Sequence, residues 1–131
     1  MRYLLLIIIS FQISSSAVVK INNTIYNRPQ EDPYKPFAEV PPEPVGGFEA
    51  IYKKIKYPDL AQKAGVQGKV YLLVFINEKG SVDDVKVVKG IGAGCDEAAI
   101  TAIKGTQFSP GKDKGVPIKT KLSMPVTFKL N

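Results

Sequence analysis

"GKVYLLVFINEKGSVDDVKVVKG", Gly68 to Gly90, decides how this chain folds. In its first half Val70, Leu72, Val74 and Ile76 fall on one face of an extended chain, and Tyr71, Leu73 and Phe75 on the other. Successive side chains alternate across a strand. Both faces are therefore apolar, which marks a central strand. Asn77 to Ser81, "NEKGS", places a glycine between two apolar runs and reads as a hairpin loop. The partner strand runs from Val82 to Lys89, with Val85 and Val87 inward and Asp84 and Lys86 outward. A central strand with a hairpin partner on one side needs a second partner on the other.

The end of the chain supplies it. "GVPIKTKLSMPVTFKLN", Gly115 to Asn131, alternates almost without fault, with Val116, Ile118, Leu122, Met124, Val126, Phe128 and Leu130 at even numbers. Pro117 and Pro125 sit at odd numbers. In an unbulged strand, residues of one parity turn their backbone toward the same neighbour, and proline is tolerated where its missing N–H faces solvent. The odd positions should thus form a free edge. Lys119, Lys121 and Ser123 lie between the prolines as a window for a guest strand. Prolines and lysines on an edge also discourage aggregation, so the residues alone leave docking and protection both open.

Upstream the period changes. Phe48, Ile51, Tyr52 and Ile55 have the i, i+3, i+4, i+7 spacing of a short amphipathic helix. Pro58 ends it, and Tyr57, Leu60, Ala61 and Ala64 repeat the spacing up to Gly65 in a C-cap position. A third helix carries Cys95, Ala98, Ala99, Ala102 and Ile103 on one stripe, with the small alanines allowing close packing on the sheet. "FSPGKDKG" then bridges to the last strand. The order is α-α-β-β-α-β: an α+β fold, a small three-stranded antiparallel sheet with helices packed on one face.

Composition narrows the chemistry. The 131 residues include no His and one Cys, so Ser-His-Asp triads and Cys-His pairs lack a member, and the chain reads as a non-enzyme with no cofactor or metal. The glycines of "GIGAG" precede Asp96 and Glu97, acids that would repel phosphate from the helix start. Asp83-Asp84 reads as a solvated face. The net charge of +6 and the lysines 53, 54, 56, 112 and 114 lack the aromatic platform of a single-strand nucleic-acid binder, and no nucleic acid is expected as partner. Cys95 has no neighbouring base and belongs to packing.

Residues 1–17, "MRYLLLIIISFQISSSA", have a basic start, an apolar run well short of the ~20 residues a spanning helix needs, and a small-residue cleavage site. They read as a signal peptide, with an uncleaved inner-membrane anchor as the alternative. Residues 18–45 are polar and dotted with proline, an extended linker whose stretch from Val18 to Pro44 reaches some 80 Å at ~3.1 Å per residue. The folded domain is expected over 46–131, after the break at Gly46-Gly47.

Taken in order, "PPEPVGGFEAI", "YPDLAQKAGVQGKVYLLVFINEKG", "DEAAITAI" and "FSPGKDKGVPIKTKLSMPVTFKL" resemble the TonB C-terminal domain over Pro42 to Leu130, the first motif in its Bacteroidetes-type form. The resemblance implies a periplasmic domain that grips the TonB box of outer-membrane transporters as an added strand and supports uptake of siderophores or other nutrients. It also implies that Lys54, Lys56, Tyr57 and Pro58, around the Tyr-Pro pair, flank the docked segment. An ExbB–ExbD-type motor is a partner only if the N-terminus is retained. The family's motor-contacting helix carries a His, which this chain lacks. The alternative reading is therefore a non-energising regulatory or structural protein that occupies the same partner sites.

Overall fold

The structure, a computed structural model, describes residues 31–131. The expected signal peptide and the first part of the linker lie outside the described residues. In chain order the elements are β1 (Glu43–Pro44), α1 (Phe48–Lys54), α2 (Asp59–Lys63), β2 (Gly68–Ile76), β3 (Val82–Lys89), α3 (Cys95–Lys104), β4 (Phe108–Ser109), β5 (Gly111–Asp113), β6 (Val116–Ile118) and β7 (Thr120–Phe128).

β2 is central, as its two apolar faces require, in an antiparallel sheet of order β3-β2-β7. The loop between β2 and β3 closes through the Asn77 side chain, whose Oδ1 accepts the N–H groups of Lys79 and Ser81 at 2.9 and 3.1 Å. Gly80 takes a positive φ of 81° in that turn, and a Cβ there would stand 1.8 Å from the Phe108 carbonyl oxygen. The glycine is thus demanded twice, by the turn and by the chain passing over it.

Val70, Leu72, Val74 and Ile76 on the inner face are fully buried, against Met124, Val126 and Phe128 of β7 and the α3 stripe. Burial of each such side chain is worth roughly 1.5–3 kcal/mol. In α3, Cys95, Ala99, Ala102 and Ile103 are buried. The two short helices contribute less than their periodicity predicts. Only Ile51 of α1 and Ala61 of α2 are buried, while Phe48, Tyr52 and Leu60 are exposed. A helix of seven or five residues has room for one inward turn.

Two expectations need correction. The last strand is not a single unit. It divides at Lys119, and β6 pairs with β5 rather than with the main sheet. "GKDKGVPI" is a small hairpin whose turn residues Lys114 and Gly115 have φ 51° and 76°, the pair of positive values that a two-residue type I′ turn needs. Strands of three residues are too short to show alternation, so the sequence reads this stretch as a bridge.

The second concerns the start of the domain. The compact unit runs from Asp32 to Asn131 and takes in fourteen residues, 32–45, assigned to the linker. The segment makes no core of its own, but its extended backbone meets the domain at three places. Lys35 bridges Thr120, Val40 bridges Lys112, and β1 pairs with β4. Prolines that forbid a helix do not forbid an extended chain lying along an edge.

Cys95 generates a prediction. It is fully buried, and burial, followed by the nearby Asp96 and Glu97, pushes its thiol pKa up. Cys95→Ser is expected to cost about 1–2 kcal/mol in chemical denaturation, the cost of a hydroxyl in apolar packing. In the native chain the thiol should react with a thiol reagent only at the rate of unfolding; rapid labelling would place it on the surface.

Candidate functional site

The edge of β7 has a defined polarity. Its register with β2 runs unbroken from Gly68↔Phe128 to Ile76↔Thr120. The Lys119 carbonyl accepts the Lys35 N–H at 2.9 Å, and the Lys121 N–H donates to the Lys35 carbonyl at 3.0 Å. The backbone at these odd positions therefore points away from β2, and by the same parity so does that of Ser123, Pro125 and Thr127. Thr127 N–H is turned to the Tyr52 hydroxyl at 3.4 Å, and Pro125 has no N–H.

Pro117 obeys the same rule in the small hairpin. It stands opposite Lys112, whose N–H and C=O are both spent on Val40, at 2.9 and 3.0 Å. The Lys112–Pro117 pair is then a non-hydrogen-bonded one, and a proline N–H is not needed there.

The outer face of the sheet beside this edge is occupied by side chains. Tyr34 meets Phe75 edge to face, with ring centroids 5.0 Å apart and an interplanar angle of 81°. Lys86 Nζ lies 5.1 Å from the Phe75 ring centre and Lys119 Nζ 5.6 Å from that of Tyr34. The Tyr34 hydroxyl donates to Asp83 Oδ2 at 2.6 Å, and Asn77 Nδ2 donates to Asp83 Oδ1 at 2.9 Å. Asp32 ion-pairs with Lys121 at 2.7 Å, and its Oδ1 accepts the Tyr34 N–H at 2.9 Å across Pro33. The segment Asp32–Lys35 is thus held by backbone, ring and charge together.

Donation to Asp83, then burial, pushes the Tyr34 phenol up to about 12. The same hydrogen bond holds Asp83 below the usual carboxylate range, and the Lys121 hydrogen bond does so for Asp32. The two depressed carboxylates favour the assembled seat above their ordinary value of 3.8, and this is lost as pH falls through their lowered values. The raised phenol favours it below its ordinary 10.0, and this is lost as pH rises through about 12. Across the neutral range the seat holds steady.

Of the residues singled out from the sequence, Lys119 and Lys121 lie at the seat and Ser123 follows them along the edge. Lys54, Lys56, Tyr57 and Pro58 are gathered elsewhere. Tyr57 packs edge to face on Phe128, centroids 5.4 Å apart, and its hydroxyl donates to the Val66 carbonyl. Phe128 is seven residues beyond Lys121, about 24 Å along a strand at ~3.4 Å per residue. Lys54 Nζ donates to the Gly105 carbonyl at 2.6 Å, and Lys54 and Lys56 line a shallow hollow with Glu97, Ala98 and Thr101. Pro58 lies beside Gly94. Asp83, read as part of a solvated face, is instead the acceptor of the Tyr34 phenol. Tyr34 and Lys35 were missed altogether. Their one signal is a pair of aromatics, Tyr34 and Phe37, in a proline-spaced "DPYKPF", which carries no period.

Among the described residues no cluster of three or more His, Cys, Asp or Glu could hold a metal. No described helix is long and apolar enough to cross a membrane. What the edge can do is accept an extended strand.

Residues 53–130 match the family described as Gram-negative bacterial TonB protein C-terminal. This chain belongs to that family. It is 32% identical over 76 residues to Protein TonB of Vibrio cholerae and 37% identical over 83 residues to Protein TonB of Helicobacter pylori. The aligned stretches cover 57% and 62% of this chain but 31% and 28% of those proteins, so the chain spans under a third of their length. Solved TonB C-terminal domains of Helicobacter pylori and Pseudomonas aeruginosa resemble it with TM-scores of 0.49 and 0.48, at 32% and 25% identity. They cover 62% and 58% of this chain, and 86% and 78% of their own chains are matched.

In this TonB C-terminal domain, the phenol of Tyr34 provides a direct check on the seat. Ultraviolet absorbance titration of the folded chain should show a tyrosine ionising at about 12 that is missing from Tyr34→Phe. Asp83→Asn removes both the charge and the best acceptor, and should bring that tyrosine back toward its ordinary value. An unchanged high titration in the variant would separate Tyr34 from Asp83.

Proposed function

We propose that this domain works in the periplasm as a strand-accepting module, taking the TonB-box segment of an outer-membrane transporter onto the edge of β7 and so supporting transport across that membrane. The observation that carries the reading is the outward pair at Lys119 and Lys121. These two residues offer one acceptor and one donor at the spacing a parallel strand uses, and Lys35 already engages both. Family membership supports the class of partner. The guest's main-chain bonds would supply affinity and the neighbouring Phe75 face its selectivity. An ExbB–ExbD-type motor, coupled through residues preceding this domain, would convert binding into pulling. Nutrients such as siderophores are the cargo class of such a transporter.

Of the residues around the Tyr-Pro pair, Tyr57, on Phe128, would act nearest the far end of the same edge, where Tyr52 covers Thr127, whereas Lys54, Lys56 and Pro58 lie against α3 and its ends. A guest spanning Lys119 to Thr127 would need about nine residues to reach that end. Tyr57 is fixed by its bond to Val66 and its contact with Phe128, so Tyr57→Ala tests packing before it tests binding.

Two adjacent proline substitutions separate docking from folding. Lys121→Pro removes an outward donor that no β2 residue uses. It should keep the circular dichroism spectrum and lose binding of peptides from transporter N-terminal segments, read by titration. Leu122→Pro, opposite Val74, removes a ladder bond within the sheet and should abolish cooperative unfolding. Lys121→Ala keeps the backbone donor and should weaken binding only slightly, chiefly at low salt. Full binding by Lys121→Pro would rule out strand addition at this edge.

A further inference from the structure

The residues that a guest strand would use are not vacant. Lys35 lies parallel to β7 at Thr120 and satisfies the Lys119 carbonyl and the Lys121 N–H together. One residue before it, Tyr34 covers Phe75, a large side chain on the face of β2 away from the helices that is only 8% exposed. Two residues before that, Asp32 takes the Lys121 ammonium at 2.7 Å. Three kinds of contact thus come from four consecutive residues, and all converge on the first turn of the edge.

We infer that Asp32–Lys35 is a built-in competitor for the guest-strand edge, seated by Tyr34, which a partner strand must displace before it can pair with Lys119 and Lys121. The inference rests on the strand-addition reading for its partner, but the occupancy itself stands on contacts within the chain. The segment is covalently attached, so it competes at an effective concentration in the millimolar range that short tethers give. A partner's apparent affinity is lowered by the fraction of molecules in which the seat is empty. Displacement is feasible because the segment adds no core residue: Tyr34 is half-buried, and Asp32 and Lys35 are exposed. Releasing them uncovers Phe75 and frees Lys119, Lys121 and Asp83 for the incoming strand. The seat also describes its guest: a parallel strand with an aromatic residue just before the bridged position, and an acid two residues earlier.

The test uses the full chain, its Tyr34→Ala variant, and a synthetic peptide DPYKPF, the sequence of residues 32–37, added in trans. Amide hydrogen exchange should find Lys121 protected in the native chain and faster in Tyr34→Ala. The peptide should shift the amide resonances of Lys119–Ser123 in the variant, and bind it about tenfold more tightly than the native chain, as removal of an internal competitor requires. The peptide DPAKPF should bind neither. Equal exchange at Lys121 in the two chains, or equal peptide affinity, overturns the inference. Should Tyr34→Ala fail to fold, Asp32→Ala removes the segment's ion pair while leaving Lys121 and Asp83 to the added peptide, and should move both readouts in the same direction. Transporter-derived peptides separate this inference from the proposed function. If they bind native and variant chains equally well, the edge accepts strands and the competitor is refuted. If DPYKPF binds Tyr34→Ala while no transporter peptide binds either chain, the competitor stands and the proposed partner falls.

Discussion

A three-stranded sheet has two faces, and here helices cover only one. β2 is apolar on both, so Tyr71, Leu73 and Phe75 need cover from elsewhere or remain in water. Tyr71 stays partly exposed and Leu73 is half-buried, but Phe75 is nearly enclosed. Its enclosure comes from Tyr34 on one side and Lys86 on the other. An edge-to-face aromatic pair is worth ~0.5–1.5 kcal/mol beyond burial, and an exposed cation–π contact ~0.5–1 kcal/mol. Against this, ordering each backbone residue costs roughly 1–2 kcal/mol. The segment is thus held by several weak contacts acting together, the Tyr34 ring, the Asp32 ion pair and the two Lys35 backbone bonds, against that entropy.

The two edges of the sheet are treated differently. β3 meets β2 with register shifts at Tyr71/Leu72 and Phe75/Ile76. Such irregularities twist an edge and spoil it as a template. It also carries Asp83, Asp84, Lys86 and Lys89, so a guest would have to pass charges of both signs. β7 has no shift along nine paired positions. Its outward backbone is regular, and only Pro125 and the Tyr52 cap on Thr127 limit where a strand can lie along it. One edge is closed by distortion and charge. The other is left straight and merely bounded, and it is the straight edge that the chain's own segment finds.

Much of this was legible from residue patterns. The doubly apolar run at Val70–Ile76 required a central strand, the glycine at 80 required a turn, and the odd parity of the prolines required their backbone to face outward. These features depend on period and on backbone chemistry, which a sequence displays directly. The α3 stripe was equally readable because ten residues make nearly three turns. What stayed hidden has no period. β1, β4, β5 and β6 have two or three residues each. Leu60 matched a helical stripe yet is 68% exposed, because α2 is too short to hold a whole stripe against the core. Tyr34 is one of two aromatics among prolines, and its partner Phe75 is 41 residues away. Nothing local joins Asp83 to a phenol 49 residues upstream. Long-range pairs of single residues are decided by where an edge happens to run, and that is known only when the sheet is assembled.

The self-docked segment follows from the same parity that makes the edge receptive. An outward N–H at Lys121 and an outward C=O at Lys119 cannot discriminate between a partner's backbone and the chain's own, because main chains are chemically alike. Discrimination has to come from side chains and from tethering. The chain supplies both in its own favour, through Tyr34 on Phe75, Asp32 on Lys121, and a covalent connection. A partner strand can prevail only by making contacts the short segment cannot. The outward groups that Lys35 leaves unused before Pro125, the Lys121 carbonyl and the Ser123 N–H and carbonyl, provide them. A longer strand that begins at Lys119 and continues past Ser123 gains backbone bonds the self-segment lacks, since that segment leaves the edge after Lys35 and turns toward Lys112 by Val40. Length along the edge, rather than any single side chain, is then what sets a true guest apart from the chain's own imitation of one.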